Sequence, residues 1–438
     1  MVPQLRFLEF RSAGNWRFRA LSDIAQPISE RVGASKCVPM SVTTGVGLVR
    51  QEEKFGRTIA GDSYKHYIRL QTNDFAYNKS ATKEFPQGYI ARYSDTMDAA
   101  VPKSIFACFR PDIGTVIPQY LDHLFHGNHH GRWLRKYIMV GARAHGALAV
   151  SDADLMSMPV PLPPVAVSRP EQQKIADCLG SLDDLIAAEG RRLEALSRHK
   201  RGLMQQLFPV PGQTVPRLRF PEFRDNQAWS TPRLADLYGF KRTNTLSRAR
   251  LNYETGTIRN IHYGDIHTKF RALFRVGDES VPYVNPDAAS TFDDGVLCEE
   301  GDIVFADASE DLDDVGRAIE VVSLDGEHVV AGTHTILATR RGRTPVVGFG
   351  AQLFQSTAVR DRIKKEAQGT KVYGISATRI SLVPIPIPPT ESEQHKIAEC
   401  LSSLDSRIAA QVVKLDDLRI HKRGLLQQLF PRPGNNER

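Results

Sequence analysis

Along two stretches of the chain, apolar residues recur at alternating steps of four and three. In the first they are Ile175, Leu179, Leu182, Ile186, Leu193, Leu196, Leu203 and Leu207. In the second they are Ile397, Leu401, Leu404, Ile408, Leu415, Leu418, Leu425 and Leu429. Such steps trace the a/d seam of a coiled coil, sustained here over about four heptads. Polar residues interrupt both stripes at the same register, Glu189 matching Gln411 and Lys200 matching Lys422. Either their stems pack while the charged ends reach water, or they fix register and pairing at a cost in stability. Each stripe is preceded by the spacing of a capping box, Ser168 to Glu171 and Thr390 to Glu393. Each is closed by Phe-Pro, at Pro209 and Pro431, because proline cannot continue the amide ladder. The pattern predicts two helices of about 35 residues, each roughly 50 Å long.

The surroundings of the stripes repeat as well. Residues 171–212 and 393–434 align without a gap, and roughly two thirds of their positions are identical. An arm, PQLRFLEF from Pro3 followed by Trp16, returns as PRLRFPEF from Pro216 followed by Trp229. Each half is therefore arm, middle, helix. The C-terminal helix copy ends where the first copy leads into an arm, so its end is expected beside the N-terminal arm. A pseudo-two-fold relation and antiparallel helices follow from that order. The middles differ from each other. In the first, YKHYIRL, NDFAYN, YIARY and SIFACF read as strands and residues 118–139 as helical. In the second, RNIHYGDI, GDIVFADAS, AIEVVSL and HTILATR read as strands, and AQLFQSTAVRDRIKKEAQG as one helix. The closing segments PVPLPP (159–164) and PIPIPP (384–389) are expected to be stiff polyproline connectors. The expected fold is mixed α/β. Two α+β domains, 1–164 and 213–389, are separated by two long helices, 165–212 and 390–438, that form an antiparallel coiled coil.

Composition narrows the function. Lys and Arg number 57 against 50 Asp and Glu, a net charge of +7, which favours an acidic partner such as nucleic acid. The five cysteines are scattered and never form C-x-x-C, which argues against a zinc ribbon or a disulfide framework and fits a reducing cytoplasm. No apolar run is long enough to span a bilayer. No phosphate-binding G-x-x-x-x-G-K-[ST], no G-x-G-x-x-G and no H-E-x-x-H occurs. Asn285-Pro286 continues with Asp287, so the Asn/Asp-Pro-Pro-aromatic loop of a DNA amino-methyltransferase is missing. Two weaker constellations remain. Asp302, Asp307 and Glu310 have the composition of a nuclease carboxylate set or of a solvated acidic loop. His123, His126, His129 and His130 have ligand-like spacing, or serve a helix end whose exposed carbonyls attract imidazoles. Gly202 and Gly424, inside the repeated HKRGL, each cost a helix about 1 kcal/mol against alanine. Their recurrence points to close approach of another helix or a partner.

The doubled E-Q-x-K-I-A-x-C-L…H-K-R-G-L-x-Q-Q-L-F-P helix, entered by P-x-P-x-P-P, resembles the specificity subunit of type I restriction–modification systems. DFAYNKS with Gly88 and Ile90 is similar to one target-recognition pattern. IHYGDIHTKF, SEDLDDVG and GTKVYGIS are similar to another, which ARAHGALAVS (142–151) matches only loosely. The resemblance implies a non-catalytic reader of double-stranded DNA, each middle a target recognition domain for one half of a split, asymmetric site. It implies that the helices dock two modification subunits. Those carry S-adenosylmethionine and methylate adenine, and restriction subunits add ATP-driven translocation and cleavage; this chain would hold no cofactor. At about 3.4 Å per base pair, a roughly 50 Å spacer places the half-sites within about fifteen base pairs. Groove-edge readers are expected from polar and cationic loop residues: Lys65, His66, Asn78, Lys79, Ser80 and Lys83 in the first domain. In the second they are His262, Tyr263, His267, Lys269, the turn Ser309 to Asp311, and Lys371 with Tyr373. The rival readings are a methyltransferase or restriction enzyme in its own right, and a coiled-coil scaffold that ignores DNA.

Overall fold

The computed structural model describes residues 1–43, 45–83, 85–138, 148–289, 292 and 294–431. The chain divides into two compact units, Met1–Gly190 with Val413–Arg438, and Arg191–Val412. The divisions fall inside the two long helices, Ser168–Leu207 and Glu391–Gln428, so each unit owns one end of each helix. At 40 and 38 residues the helices run about 60 Å, longer than the stripes suggest, because their first turns form ahead of the repeated stretch.

In unit 1 one sheet runs in the order Ala25–Pro27, Phe106–Pro111, Phe75–Asn78, Tyr89–Arg92, antiparallel throughout. It is buried on both faces, which is why FAYN and YIAR lack polar alternation. Phe75, Tyr77 and Phe109 face a core shared with Trp16, Tyr120, Leu179, Leu429 and Phe430. Ala76, Tyr89 and Cys108 face the second sheet, Gly47–Arg50, Val38–Thr43, Ala99–Val101 and Ile68–Leu70. Unit 2 repeats the scheme with a five-stranded sheet, Tyr238–Lys241, Thr335–Arg340, Ile303–Ala306, Ala318–Ser323 and Leu273–Arg275. Phe305 and Ile336 on one face join Phe208, Trp229, Ile397 and Leu401, and Val304 and Leu337 on the other join Phe274 and Val329.

Several local expectations are corrected. RNIHYGDI is half strand and half helix: Ile258–Ile261 pairs, then His262 turns the chain into the helix Tyr263–Thr268. The segment read as one helix after Ala351 is two, Phe349–Gln355 and Thr357–Glu366, parted at Ser356, which is extended (ψ 141) and whose hydroxyl donates back to the Leu353 carbonyl. The proline-alternating segments are not free connectors. Pro159–Leu162 pairs antiparallel with Arg17–Ala20, and Ile385 and Ile387 donate to the carbonyls of Pro232 and Ser230. Within 159–162 and 384–387, alternation at period two puts the proline nitrogens on the edge that needs no donor.

The frame around the middles repeats its main contacts in both units. Arg6 forms a buried two-pronged pair with Glu171 (2.7 Å twice), and Arg219 does the same with Glu393 (2.8 Å twice). These glutamates do not close the capping boxes, because the arm arginines occupy them; only Thr390 still accepts from the Glu393 amide, at 3.3 Å. Gln172 accepts from the Ile117 amide and Gln394 from Val346, both at 2.9 Å. The Leu5 amide donates to the Gln428 carbonyl, as Leu218 donates to Gln206, so the C-terminal helix ends on the N-terminal arm. Of the residues that follow, Leu429, Phe430 and Pro431 lie among those described.

The helices pair antiparallel. Asp183 and Glu189 meet Lys422 and Lys414 in descending order, and Lys200 meets Asp405 at 2.6 Å. Ile175, Leu179, Leu207, Ile397, Leu401, Leu404 and Leu429 of the seam are buried, as are Glu189, Gln411 and Leu415 in the middle, and the other apolar seam residues are half-buried. The polar seam positions are thus register devices: the two repeated lysines each take the repeated aspartate of the opposite helix. A Lys200→Glu chain is expected to lose about 3 kcal/mol, by removing one partner and setting two carboxylates together. Adding Asp405→Lys is expected to restore most of it in chemical denaturation. A double variant no better than the single would contradict the register role.

Candidate nucleic-acid interface

In unit 1 the expected readers lie in two places on different sheets. Lys65 and His66 are exposed at the end of the short 3-10 turn Asp62–His66, which leads into the strand Ile68–Leu70. The turn is anchored through its backbone: Gly33 donates to the Lys65 carbonyl at 3.0 Å and Arg31 to that of His66 at 2.5 Å. Asn78, Lys79 and Ser80 form the turn leaving the strand Phe75–Asn78. Asn78 Oδ1 accepts from the Ser80 amide at 3.0 Å, and Lys79 Nζ sits 3.3 Å from Asp152. Lys83 is exposed beyond them. Gly88 holds this loop against the sheet at φ 81; a Cβ there would lie 2.5 Å from the Asn78 carbonyl and 2.6 Å from the Tyr77 ring. No other residue fits that backbone and that gap. Residues 142–147 of ARAHGALAVS lie outside the described residues.

Unit 2 gathers its expected readers more closely. The Tyr263 ring stands among three imidazoles, 4.8 Å from His262, 6.2 Å from His267 and 5.2 Å from His334. His267 Nε2 is 3.0 Å from the Ala308 carbonyl, in a two-residue strand, Ala308–Ser309, that pairs with Tyr373–Gly374. Ser309 Oγ accepts from the Asp311 amide at 3.0 Å, and Lys371 is exposed at the start of the opposite strand. Arg360 ties the following turn down through the carbonyls of Asp313, Val315 and Gly316. Lys269 contacts Tyr253 Oη at 2.9 Å and Asp265 at 3.0 Å. His262 is the exception among these residues. It is 7 % exposed, and its Nδ1 accepts from the Gly264 amide as a helix cap. Burial holds its pKa below the usual imidazole value. It starts the short helix that carries Tyr263, with the two rings 4.8 Å apart.

Two further side chains join this surface that no spacing along the chain reveals. His334 sits at φ 54 in the GTHT turn, its side chain 59 % exposed and 3.3 Å from Asp307. Arg248 shares the buried Asp265 with Lys269, at 3.1 Å. The buried Asp265 carboxylate thus holds both cations in place.

The chemistry considered in the sequence does not assemble. Asp302 is buried and accepts the Glu299 and Arg340 amides, Asp307 faces His334, and Glu310 is exposed. His126 meets Tyr89 Oη at 3.1 Å, His130 faces the Gly88 carbonyl, His129 packs on Phe430 and His123 lies 3.8 Å from Asp183. Among the described residues, no group of three His, Cys, Asp or Glu is placed to hold a metal ion, and no helix is long and apolar enough to cross a membrane.

Residues 226–415 match the family described as the type I restriction modification DNA specificity domain. A Methanocaldococcus jannaschii protein, whose name assigns it to the specificity subunits of type I restriction enzymes, is 20% identical over 367 residues. The match spans 83% of this chain and 78% of that one. The stretch of the chain matched by the family is residues 226–415, which hold most of unit 2. Two solved chains share the fold of a type I specificity subunit along nearly all of this one. The S subunit from M. genitalium has a TM-score of 0.57 at 13% identity, covering 99% of this chain and 100% of that one. A chain from work on complex assembly and conformational transition of the type I R-M system has a TM-score of 0.56 at 17% identity, covering 95% and 97%.

Proposed function

We propose that this chain is a non-catalytic reader of a split, asymmetric DNA site. Residues 1–164 and 213–389 act as its two target recognition domains, each for one half-site, and the helices of 165–212 and 390–438 set the gap. The single observation that carries this reading is a frame that repeats its clamp, glutamine and arm contacts around two unlike middles. A scaffold has no use for two different inserts in one frame, whereas a bipartite reader requires them. The helices dock two modification subunits, which bring S-adenosylmethionine and methylate adenine; restriction subunits join with ATP, and none of that chemistry belongs to this chain.

In the first domain Asn78, Lys79, Ser80 and Lys83 approach the DNA from one loop, and Lys65 and His66 from the other turn. In the second, Tyr263, His267, Ser309 and Tyr373 form the edge that meets bases, with Lys269 and Lys371 on phosphates. His262 and Gly88 position these groups. Phosphate contacts make affinity steeply salt-dependent, and base contacts make it sequence-dependent.

The test is mapping of methylated adenine in DNA exposed to the chain and its cognate modification subunit. A split motif with a fixed gap is expected. Replacing residues 73–146 with those of another family member should change one half of the motif and leave the other. On that target, Lys83→Ala should weaken binding for every sequence and lower the log–log salt slope by about 1. Tyr263→Ala should relax specificity in the second half-site only. Absence of any methylation from a stable complex would overturn the recognition role.

A further inference from the structure

A carboxylate is unwelcome on a surface that meets phosphates, and at its candidate interface unit 2 neutralises several. Asp265 holds Arg248 and Lys269, Asp313 meets Lys364 at 2.5 Å and Asp314 meets Arg317 at 3.5 Å. Asp307 is treated differently. Among the described residues no Lys or Arg stands at ion-pair distance from it, and its charged neighbour is His334, with Nδ1 3.3 Å from Oδ1. Oδ1 is shut off from water without a hydrogen bond, whereas Oδ2 is open and equally unbonded. Burial pushes the carboxyl up, with the imidazole working the other way. The fold uses the backbone of Asp307, whose amide donates to the His334 carbonyl at 3.0 Å and whose carbonyl accepts from Ile375 at 2.8 Å. It asks nothing of the side chain beyond His334.

His334 is itself held at φ 54, in the left-handed region that disfavours any residue with a Cβ. Glycine would sit there without strain. Packing does not explain the histidine, because its side chain is mostly exposed. The imidazole instead reaches Asp307 on one side and stands 5.2 Å from the Tyr263 ring on the other. The residue after Asp307, Ala308, gives its carbonyl to His267 Nε2. A strained backbone, a half-buried charge and an unbonded oxygen therefore coincide, among the side chains expected to meet bases.

We propose that Asp307 selects a cytosine in the half-site of unit 2, its Oδ2 accepting from the exocyclic N4 amino group in the major groove, with His334 as the positioning residue. An ionised carboxylate accepts and cannot donate. Guanine N7 and O6 and thymine O4 are acceptors and repel it, and the adenine N6 amino group stands beside the acceptor N7. Cytosine is the base whose major-groove edge offers a donor with no acceptor next to it. His334 turns the carboxylate outward, and its imidazole offsets repulsion from the phosphates. This rests on the reading of unit 2 as a target recognition domain and adds to it a base and the residue that chooses it.

The test uses the full chain with its cognate modification subunit, on duplexes that carry the split motif found by methylation mapping. Exchange of residues 213–389 identifies the half that unit 2 reads. That half is expected to hold a C·G pair at which 2-pyrimidinone, cytosine without its amino group, weakens binding about tenfold. In Asp307→Ala the two duplexes should bind within about twofold of each other. The ratio is the readout, because losing a negative charge also strengthens binding to any phosphate backbone. Asp307→Asn keeps the shape and adds a donor, so it should admit thymine at that position. His334→Gly, which suits the backbone, should bring the ratio down to about threefold. Asp278→Asn, the same change of charge on an exposed turn elsewhere in unit 2, should leave it at about tenfold. A unit 2 half-site without a C·G pair would overturn the assignment and leave the reader role intact. So would an Asp307→Ala chain that keeps the wild-type ratio at every cytosine of that half. A wild-type chain that returns no motif would remove the reader role, and the cytosine contact with it.

Discussion

A Glu393→Ala chain is expected to lose about 3–5 kcal/mol of stability in unit 2, because the substitution strands a buried guanidinium. Arg219 and Glu393 are 7% and 1% exposed. Nε and Nη2 of the arginine reach the two carboxylate oxygens, while Nη1 and Nη2 also donate to the carbonyls of Asn226 and Gln227. Trp229 Nε1 adds a third donor to the same carboxylate at 3.2 Å. Removing the anion leaves all of these pointing at an apolar void. Glu171→Ala should do likewise in unit 1, where Arg6 also holds the Gly14 carbonyl at 2.7 Å. Adding Arg219→Met to Glu393→Leu, an apolar pair closer in volume to the clamp, should leave the chain more stable than Glu393→Ala, since it needs no counter-charge. Urea titration of the three chains gives the comparison. A single-variant loss below about 1 kcal/mol would mean that water reaches the clamp.

Acidification from pH 8 to pH 5 is expected to weaken unit 1 and strengthen unit 2. In unit 1, burial lowers the pKa of His123 and of His130 to about 4, with the Lys422 ammonium adding to the effect at His123. Asp122 and Asp183 oppose it there without reversing it. A histidine that stays neutral when folded contributes fully above the unfolded value near 6.5, and that contribution fades as pH falls toward 4. At pH 5 each costs on the order of 2 kcal/mol. In unit 2, burial raises Glu320 to about 7 and Asp302 to about 6, despite the Gly348 and Ala351 amides on Glu320. A carboxyl that keeps its proton when folded binds more protons than the unfolded chain between the two pKa values, so stability rises as pH falls through that window. Hydrogen exchange at pH 5 and pH 8, corrected for intrinsic rates, reads the units separately. His123→Gln, which copies Gln352 of the other unit, should remove about half of the acid loss in unit 1. Equal weakening of both units in acid would contradict these assignments.

What was legible in the sequence is what obeys a period. The four-three stripes gave the helices and their pairing, and the duplicated arm implied that the C-terminal helix would end on it. Alternation placed most strands of the middles. Where two local codes compete, the sequence misled. Glu171 and Glu393 have capping-box spacing, but an arginine far away in the chain outbids the local amide. PIPIPP looks like a free polyproline run because its partner strand is distant in sequence. His262 carries the chemistry of a reader, yet one buried helix start claims its lone pair. The candidate interface was hardest to see. His334 and Arg248 join Tyr263 and Lys269 only because separate loops converge, and no spacing records convergence.

Unit 2 is an unbroken run of chain, whereas unit 1 needs residues from both sides of it. During synthesis, therefore, unit 2 has all its parts while Trp16, Tyr120 and Leu179 still wait for Leu429 and Phe430 to cover them. Leu207 and Phe208, of the same repeat, are packed with Trp229 and Leu234 inside unit 2. Closure of the unit 1 core therefore waits on Leu429 and Phe430, after every part of unit 2 has been made.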